Sequence, residues 1–211
     1  MKSLFRFAIY LFVATSFFSA RAGSVDEYFR AVNVDDARTV SGLLARGFDP
    51  NTASDKGQVG LFLALREDSP KVAQALLAHP QIAVDLANAS DETPLMMAAL
   101  RGRLDWAERL LERGAKLNRP GWTPLHYAAS GPEPKVVALL LDRGAVVDAP
   151  SPNRSTPLMM AARYGDEGAV ALLLARGANL ELRNDRGLNA ADLARLAGRE
   201  NLAVRLEPKP R

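Results

Sequence analysis

Cysteine is absent from this 211-residue chain. That removes disulfides, thiol nucleophiles, cysteine-ligated zinc and a lipid-modified N-terminal cysteine together. Histidine is scarce: His79 and His126 stand far apart, without the close spacing a zinc site would use. Excess charge is also missing once the first 22 residues are set aside. The formal net charge is +3, and the unbalanced cations are Lys2, Arg6 and Arg21, which leaves 24 basic and 24 acidic residues from Gly23 onward. A nucleic-acid binder normally carries a net basic field, so that partner class is disfavoured. The glycines do not fall at a phosphate-cradling spacing, so no nucleotide loop is read. After residue 22 no segment is apolar enough to span a bilayer.

The first 22 residues do hold a pattern. Lys2 and Arg6 form a basic start, and the apolar run Phe7 to Phe18 is broken only by Thr15 and Ser16. Ala20-Arg21-Ala22 then offers a small-x-small site that places cleavage between Ala22 and Gly23. The run is about a dozen residues, short of the ~20 that cross a bilayer, so the reading is a cleaved secretory signal. An uncleaved anchor is the competing reading. The expectation is a periplasmic protein of a Gram-negative cell, off the membrane after cleavage, with secretion as the alternative. The bacterial part rests on the compact signal and the small repeat-only architecture.

The rest of the chain repeats itself. Thr93-Pro94-Leu95-Met96-Met97-Ala98-Ala99 returns 30 residues on as Thr123-Pro124-Leu125-His126-Tyr127-Ala128-Ala129, and 33 further on as Thr156-Pro157-Leu158-Met159-Met160-Ala161-Ala162. Each copy leads to a Leu-Leu pair and a Gly-Ala: Leu110-Leu111 with Gly114-Ala115, Leu140-Leu141 with Gly144-Ala145, Leu173-Leu174 with Gly177-Ala178. A fixed period near 33 is the mark of a stacked array. Threonine is a good N-cap, and proline at the first helical position wastes no hydrogen bond because that N–H has no partner in any case. The Ala-Ala pair makes a narrow inner helix. Apolar residues three and four apart, such as Val136, Val137, Leu139 and Leu140, mark a second helix, which Gly144 closes in the left-handed conformation. No single unit buries its apolar face alone; stacking does that.

Thr-Pro-Leu-His with Ala-Ala, followed by Val-x-x-Leu-Leu-x-x-Gly-Ala at this period, resembles the ankyrin repeat. The resemblance covers about Ser24 to Leu206 and implies an all-α solenoid of about six helix pairs with projecting β-turn fingers and a concave face. The expected repeats are 24–53, 54–87, 88–117, 118–150, 151–183 and 184–206, within a domain of 23–206, with 207–211 a frayed tail. Ser24 and Glu27 read as a capping box for the first helix. The second unit is degenerate: Val59-Gly60-Leu61-Phe62 stands where Thr-Pro-Leu-His belongs, and His79-Pro80 replaces the usual x-Gly. The linker from Gly114 to Thr123 is three residues shorter than that from Gly144 to Thr156, so its finger should be stunted.

The resemblance also implies a monomeric protein-binding scaffold without catalysis and without a cofactor, whose variable positions are the finger tips and the two residues after Ala-Ala. By that pattern the candidate contacts are Arg66, Glu67, Leu100, Arg101, Ser130, Arg163 and Tyr164 on the inner helices. At the tips they are Glu92, Trp122, Asn153, Asp185 and Arg186. Trp, Tyr and Arg are the residue types enriched at interface hot spots. Trp122 either projects from its finger or tucks back onto the next helix; Trp106 reads as packing. His126 falls where the family pattern uses histidine to tie the turn. The acidic pairs Asp35-Asp36, Asp91-Glu92 and Asp166-Glu167 lie at turns or first helical turns, where the helix dipole favours them. The paired methionines read as inner-helix packing. The expected partner is another periplasmic or secreted protein. Within that reading stand an inhibitor or immunity protein against a toxic enzyme and a protective helper of an envelope enzyme such as catalase. The rival class is an enzyme or metal protein using the groove.

Overall fold

The computed structural model describes residues 23–208. The expected signal segment through Ala22 and the last three residues of the expected tail lie outside the described residues. The chain falls into two compact units, Met1–Ser90 and Asp91–Arg211.

The first unit is helical through residues 23–33 (α1), followed by α2 (Ala37–Ala45), α3 (Gly60–Arg66) and α4 (Pro70–Ala78). Residue 23 is already helical, so Ser24 lies inside α1 and not at the cap position expected for it. The degeneracy of α3 has a steric cause. Tyr28 of α1 is fully buried and donates its hydroxyl to the Pro50 carbonyl at 3.3 Å. A Cβ at Gly60 would lie 1.9 Å from that hydroxyl oxygen. The proline found at this position in later repeats would collide with Tyr28, and glycine leaves the room. Burial pushes the Tyr28 phenol well above its ordinary range, with the Asp49 charge adding to it. At its other end the unit closes α4 with His79 in extended conformation, φ −68° and ψ 132°, where four other outer helices turn through the left-handed Gly47, Gly114, Gly144 and Gly177.

The second unit holds α5 (Pro94–Leu100), α6 (Leu104–Glu112), α7 (Pro124–Ser130), α8 (Pro134–Asp142), α9 (Pro157–Tyr164), α10 (Glu167–Ala175), α11 (Ala190–Leu196) and α12 (Glu200–Arg205). The inner helices pack in the order α5, α7, α9, α11, and the outer helices α6, α8, α10 run behind them. The Ala-Ala pairs make that spacing possible: Ala98, Ala99, Ala128, Ala129, Ala161 and Ala162 are all at most 1% exposed. In each Leu-Leu pair of this unit the first leucine, Leu110, Leu140 or Leu173, is the fully buried one. Truncating it to alanine would cost about 2–5 kcal/mol. Close approach continues past the helix ends. A Cβ at Gly131 would lie 2.9 Å from the Ala99 carbonyl oxygen, and one at Gly165 only 1.9 Å from that of Ala129. In the last repeat the Arg199 guanidinium takes over, donating to the carbonyls of Ala161, Ala162 and Gly165 at 2.9–3.1 Å.

All five fingers place a left-handed residue two before the cap of the next inner helix: Gly57, Asp91, Gly121, Arg154 and Gly187, with φ between 60° and 84°. In three of them the turn is closed by a backbone pair, such as Ser151 N–H to the Ser155 carbonyl at 2.9 Å with Arg154 N–H to the Ser151 carbonyl at 2.8 Å. The finger before Thr123 lacks that pair among the described residues, as a stunted loop must. The missing residues come out of the tip. Asn118, four after Gly114, still anchors the next loop through Gly144 and Val146, as Asn51, four after Gly47, does through Gln81 and Ala83.

Candidate protein-binding site

Each inner helix of the second unit starts from the same reciprocal cap, built with different atoms. Thr93 Oγ1 accepts the Met96 N–H at 3.3 Å, and the Met96 sulfur accepts the Thr93 N–H at 3.4 Å; Thr156 and Met159 repeat the arrangement. At α11 the pair is Asn189 and Asp192. At α7 the sulfur is replaced by a ring nitrogen: His126 Nδ1 accepts the Thr123 N–H at 3.2 Å. His126 Nε2 lies 3.0 Å from the Ser155 carbonyl, which can only accept, so the proton is assigned to Nε2 and the ring is neutral. Burial lowers the pKa of His126 against the opposing pull of that carbonyl. The ring is thus a tie between neighbouring fingers, and both of its nitrogens are committed.

Above this tie the structure opens a hollow of about 290 Å³, lined by Leu100, Trp122, His126, Tyr127, Ser130, Met160 and Tyr164. Of the expected contact residues it brings together Leu100, Trp122, Ser130 and Tyr164. Trp122 tucks back, its ring edge-on to His126 with centroids 5.2 Å apart, and so forms a wall and not a projecting tip. Tyr164 is 58% exposed and carries Arg163 over its ring at 5.0 Å. Arg101 follows Leu100 at the exposed end of α5. Glu92 reaches the hollow through Tyr127, whose hydroxyl donates to it at 3.1 Å. Burial and the nearby Glu92 charge push the Tyr127 phenol far above its ordinary range. Ser130 is turned inward, its hydroxyl donating to the His126 carbonyl at 3.0 Å.

Other expected contacts lie elsewhere. Arg66 and Glu67 belong to the first unit and pair with each other at 2.8 Å. The exposed residues Asn153, Asp185 and Arg186 remain on the finger tips, where the Asp185 N–H bonds the Asn153 carbonyl. Asn153 also accepts from Ser151 and Ser155 within its own turn. Tyr127 and Met160 were missed. Both follow the buried cap residue of their helix, and only the 100° turn per residue carries them to the concave side. Trp106 is buried as expected, with Arg109 over its ring at 4.2 Å. No group of three or more metal-ligating side chains occurs among the described residues.

The profile of the family "Ankyrin repeats (3 copies)" matches residues 29–120 and again 118–184. The chain is an ankyrin-repeat protein. Its repeats are 33% identical over 111 residues to "Ankyrin repeat and SAM domain-containing protein 6" of Rattus norvegicus, covering 51% of this chain and 12% of that one. They are 47% identical over 74 residues to "Neurogenic locus notch homolog protein 4" of Homo sapiens, covering 33% of this chain and 4% of that one. The ankyrin-repeat protein therefore spans a small fraction of the curated relatives it matches. Its likeness to a solved structure is broader. A chain in "Bd0816 Predatory Endopeptidase from Bdellovibrio bacteriovorus in complex with immunity protein Bd3460" matches 85% of this chain and 96% of its own length, with TM-score 0.72 and 26% identity. Ankyrin repeats mediate protein–protein binding.

Proposed function

We propose that this ankyrin-repeat protein is exported and restrains a partner enzyme by binding it, as an immunity protein does, with the hollow between Leu100 and Tyr164 as the principal contact. The observation that carries this reading is the near full-length likeness to a chain of a complex between an endopeptidase and its immunity protein. The hollow supports it independently: aromatic walls beside arginines, on a surface already held rigid by the His126 and Tyr127 hydrogen bonds, suit a binding hot spot. Export to the periplasm is supported by the basic start, apolar run and Ala20-Arg21-Ala22 of the leader. Among the described residues no helix is long and apolar enough to cross a membrane.

The test is capture from periplasmic extract with the full chain, identification of the captured protein, and assay of its activity with and without the ankyrin-repeat protein. The expected partner is a hydrolase that loses activity on binding, and capture should fall with Tyr164→Ala and Trp122→Ala. A captured enzyme whose activity rises would replace restraint with protection. Capture indifferent to both substitutions would remove the hollow from the interface.

A further inference from the structure

We infer that the hollow receives an aromatic side chain borne on an acidic loop of the partner; this rests on the reading that the face binds a protein. The centre of the hollow is built for a ring. Trp122, Tyr127, Tyr164 and the edge of His126 surround it, with the thioether of Met160 in the wall. Aromatic pairs favour edge-to-face and offset arrangements beyond their buried area, and methionine sulfur adds favourable contact at a ring edge. An aliphatic side chain would use the area and forfeit the geometry.

The charge along the inner-helix row beside the centre is positive, with the Glu92 carboxylate on the finger side. The residues seven and eight after each inner-helix cap along the second unit are Leu100-Arg101, Ser130-Gly131, Arg163-Tyr164 and Leu196-Ala197, a row with two arginines and no acid. Arg195 is neutralised by Asp192, Glu200 and Glu207. Arg119, the cation beneath the short finger, is held by Asp91. Arg101 and Arg163, next in sequence to the lining residues Leu100 and Tyr164, form no ion pair among the described residues, while the Glu92 carboxylate accepts the Tyr127 hydroxyl. Two guanidinium groups without a carboxylate partner, Arg101 and the Arg163 that stacks on Tyr164, beside a ring-lined depression ask for carboxylates flanking a ring. A basic loop would place like charges together in a partly desolvated contact. The last-turn position of Arg163 and the cap position of Arg101 also suit the helix C-terminal dipole, so the experiment must separate binding from stability.

The full chain is used to select from a random peptide library displayed on phage, and the enriched peptides are measured against the natural and substituted protein. Enriched sequences should pair Phe, Tyr or Trp with nearby Asp or Glu. Their binding should disappear with Tyr164→Ala, weaken about tenfold or more with Arg101→Glu combined with Arg163→Glu, and weaken with salt. The double substitution to Gln should abolish most of the salt dependence while leaving the thermal midpoint near that of the natural protein. Selection of basic or purely aliphatic peptides, or an unchanged salt dependence in the Gln variant, would overturn the inference. If capture of the natural partner needs Tyr164 but ignores the charge reversal, protein binding at the hollow stands and the acidic aromatic loop falls.

Discussion

Gly165→Ala isolates the close approach of neighbouring repeats. Gly165 has φ −90° and ψ −178°, extended backbone that alanine adopts freely, so any cost is one of space. The added Cβ would stand 1.9 Å from the Ala129 carbonyl oxygen and 3.0 Å from Ala161 Cα. An ordinary C···O contact is about 3.3–3.6 Å, so the end of α9 must withdraw from α7 by more than about 1 Å. Ala129 is fully buried, and its carbonyl belongs to a helix that cannot rotate away alone. Overpacking typically costs about 1–3 kcal/mol, and a backbone shift at a repeat junction belongs at the upper end or above it. Gly177→Ala is the matched control. There φ is +84° and no atom lies within 4 Å of the new Cβ, so the cost is conformational, about 1–2 kcal/mol. Urea unfolding followed by circular dichroism compares the two directly. Gly165→Ala should show the lower midpoint, and it should also weaken partner capture because Ser130 and Tyr164 flank the junction that opens. Equal midpoints, or a larger loss at Gly177, would refute the steric account.

Arg199→Ala should destabilise the C-terminal repeat by about 1.5–3 kcal/mol, since three carbonyls at the end of α9 lose a charged donor; an unchanged unfolding midpoint would contradict this. His126 makes stability depend on pH in a known direction. Its folded pKa is lowered by burial, so the unfolded chain takes up the proton first as pH falls below about 6.5. The stability of the neutral tie is fully present above that value and is lost as pH falls toward the folded-state pKa. Thermal midpoints of the natural protein should therefore drop more steeply between about pH 7 and 5 than those of His126→Gln, and parallel slopes would count against it.

The repeat architecture was legible because Thr-Pro caps, Ala-Ala pairs and Gly-Ala exits each enforce one local conformation, and their spacing repeats. The cluster at the hollow was half legible. Leu100, Ser130 and Tyr164 follow from their place after Ala-Ala, whereas Tyr127 and Met160 sit beside buried residues and look like core. Whether Trp122 projects or tucks depends on its distance from the His126 ring, which depends on where the three missing residues are taken from the loop. Arg199 was opaque for another reason: its acceptors lie 34–38 residues away, a full repeat upstream. Gly60 looked like decay of the motif until Tyr28 supplied the reason.

The sulfur atoms that cap α5 and α9 turn the protein into its own record of oxidative exposure. Met96 and Met159 are at most 1% exposed, with their sulfurs already accepting an N–H, so peroxide reaches them only when a repeat opens. Met160, partly exposed in the wall of the hollow, is open to attack in the folded state. Sulfoxide at Met160 thus reads whether the hollow is empty, and sulfoxide at Met96 or Met159 reads how often the array breathes. One mass spectrum of protein recovered from an oxidant-treated cell would report occupancy and opening together.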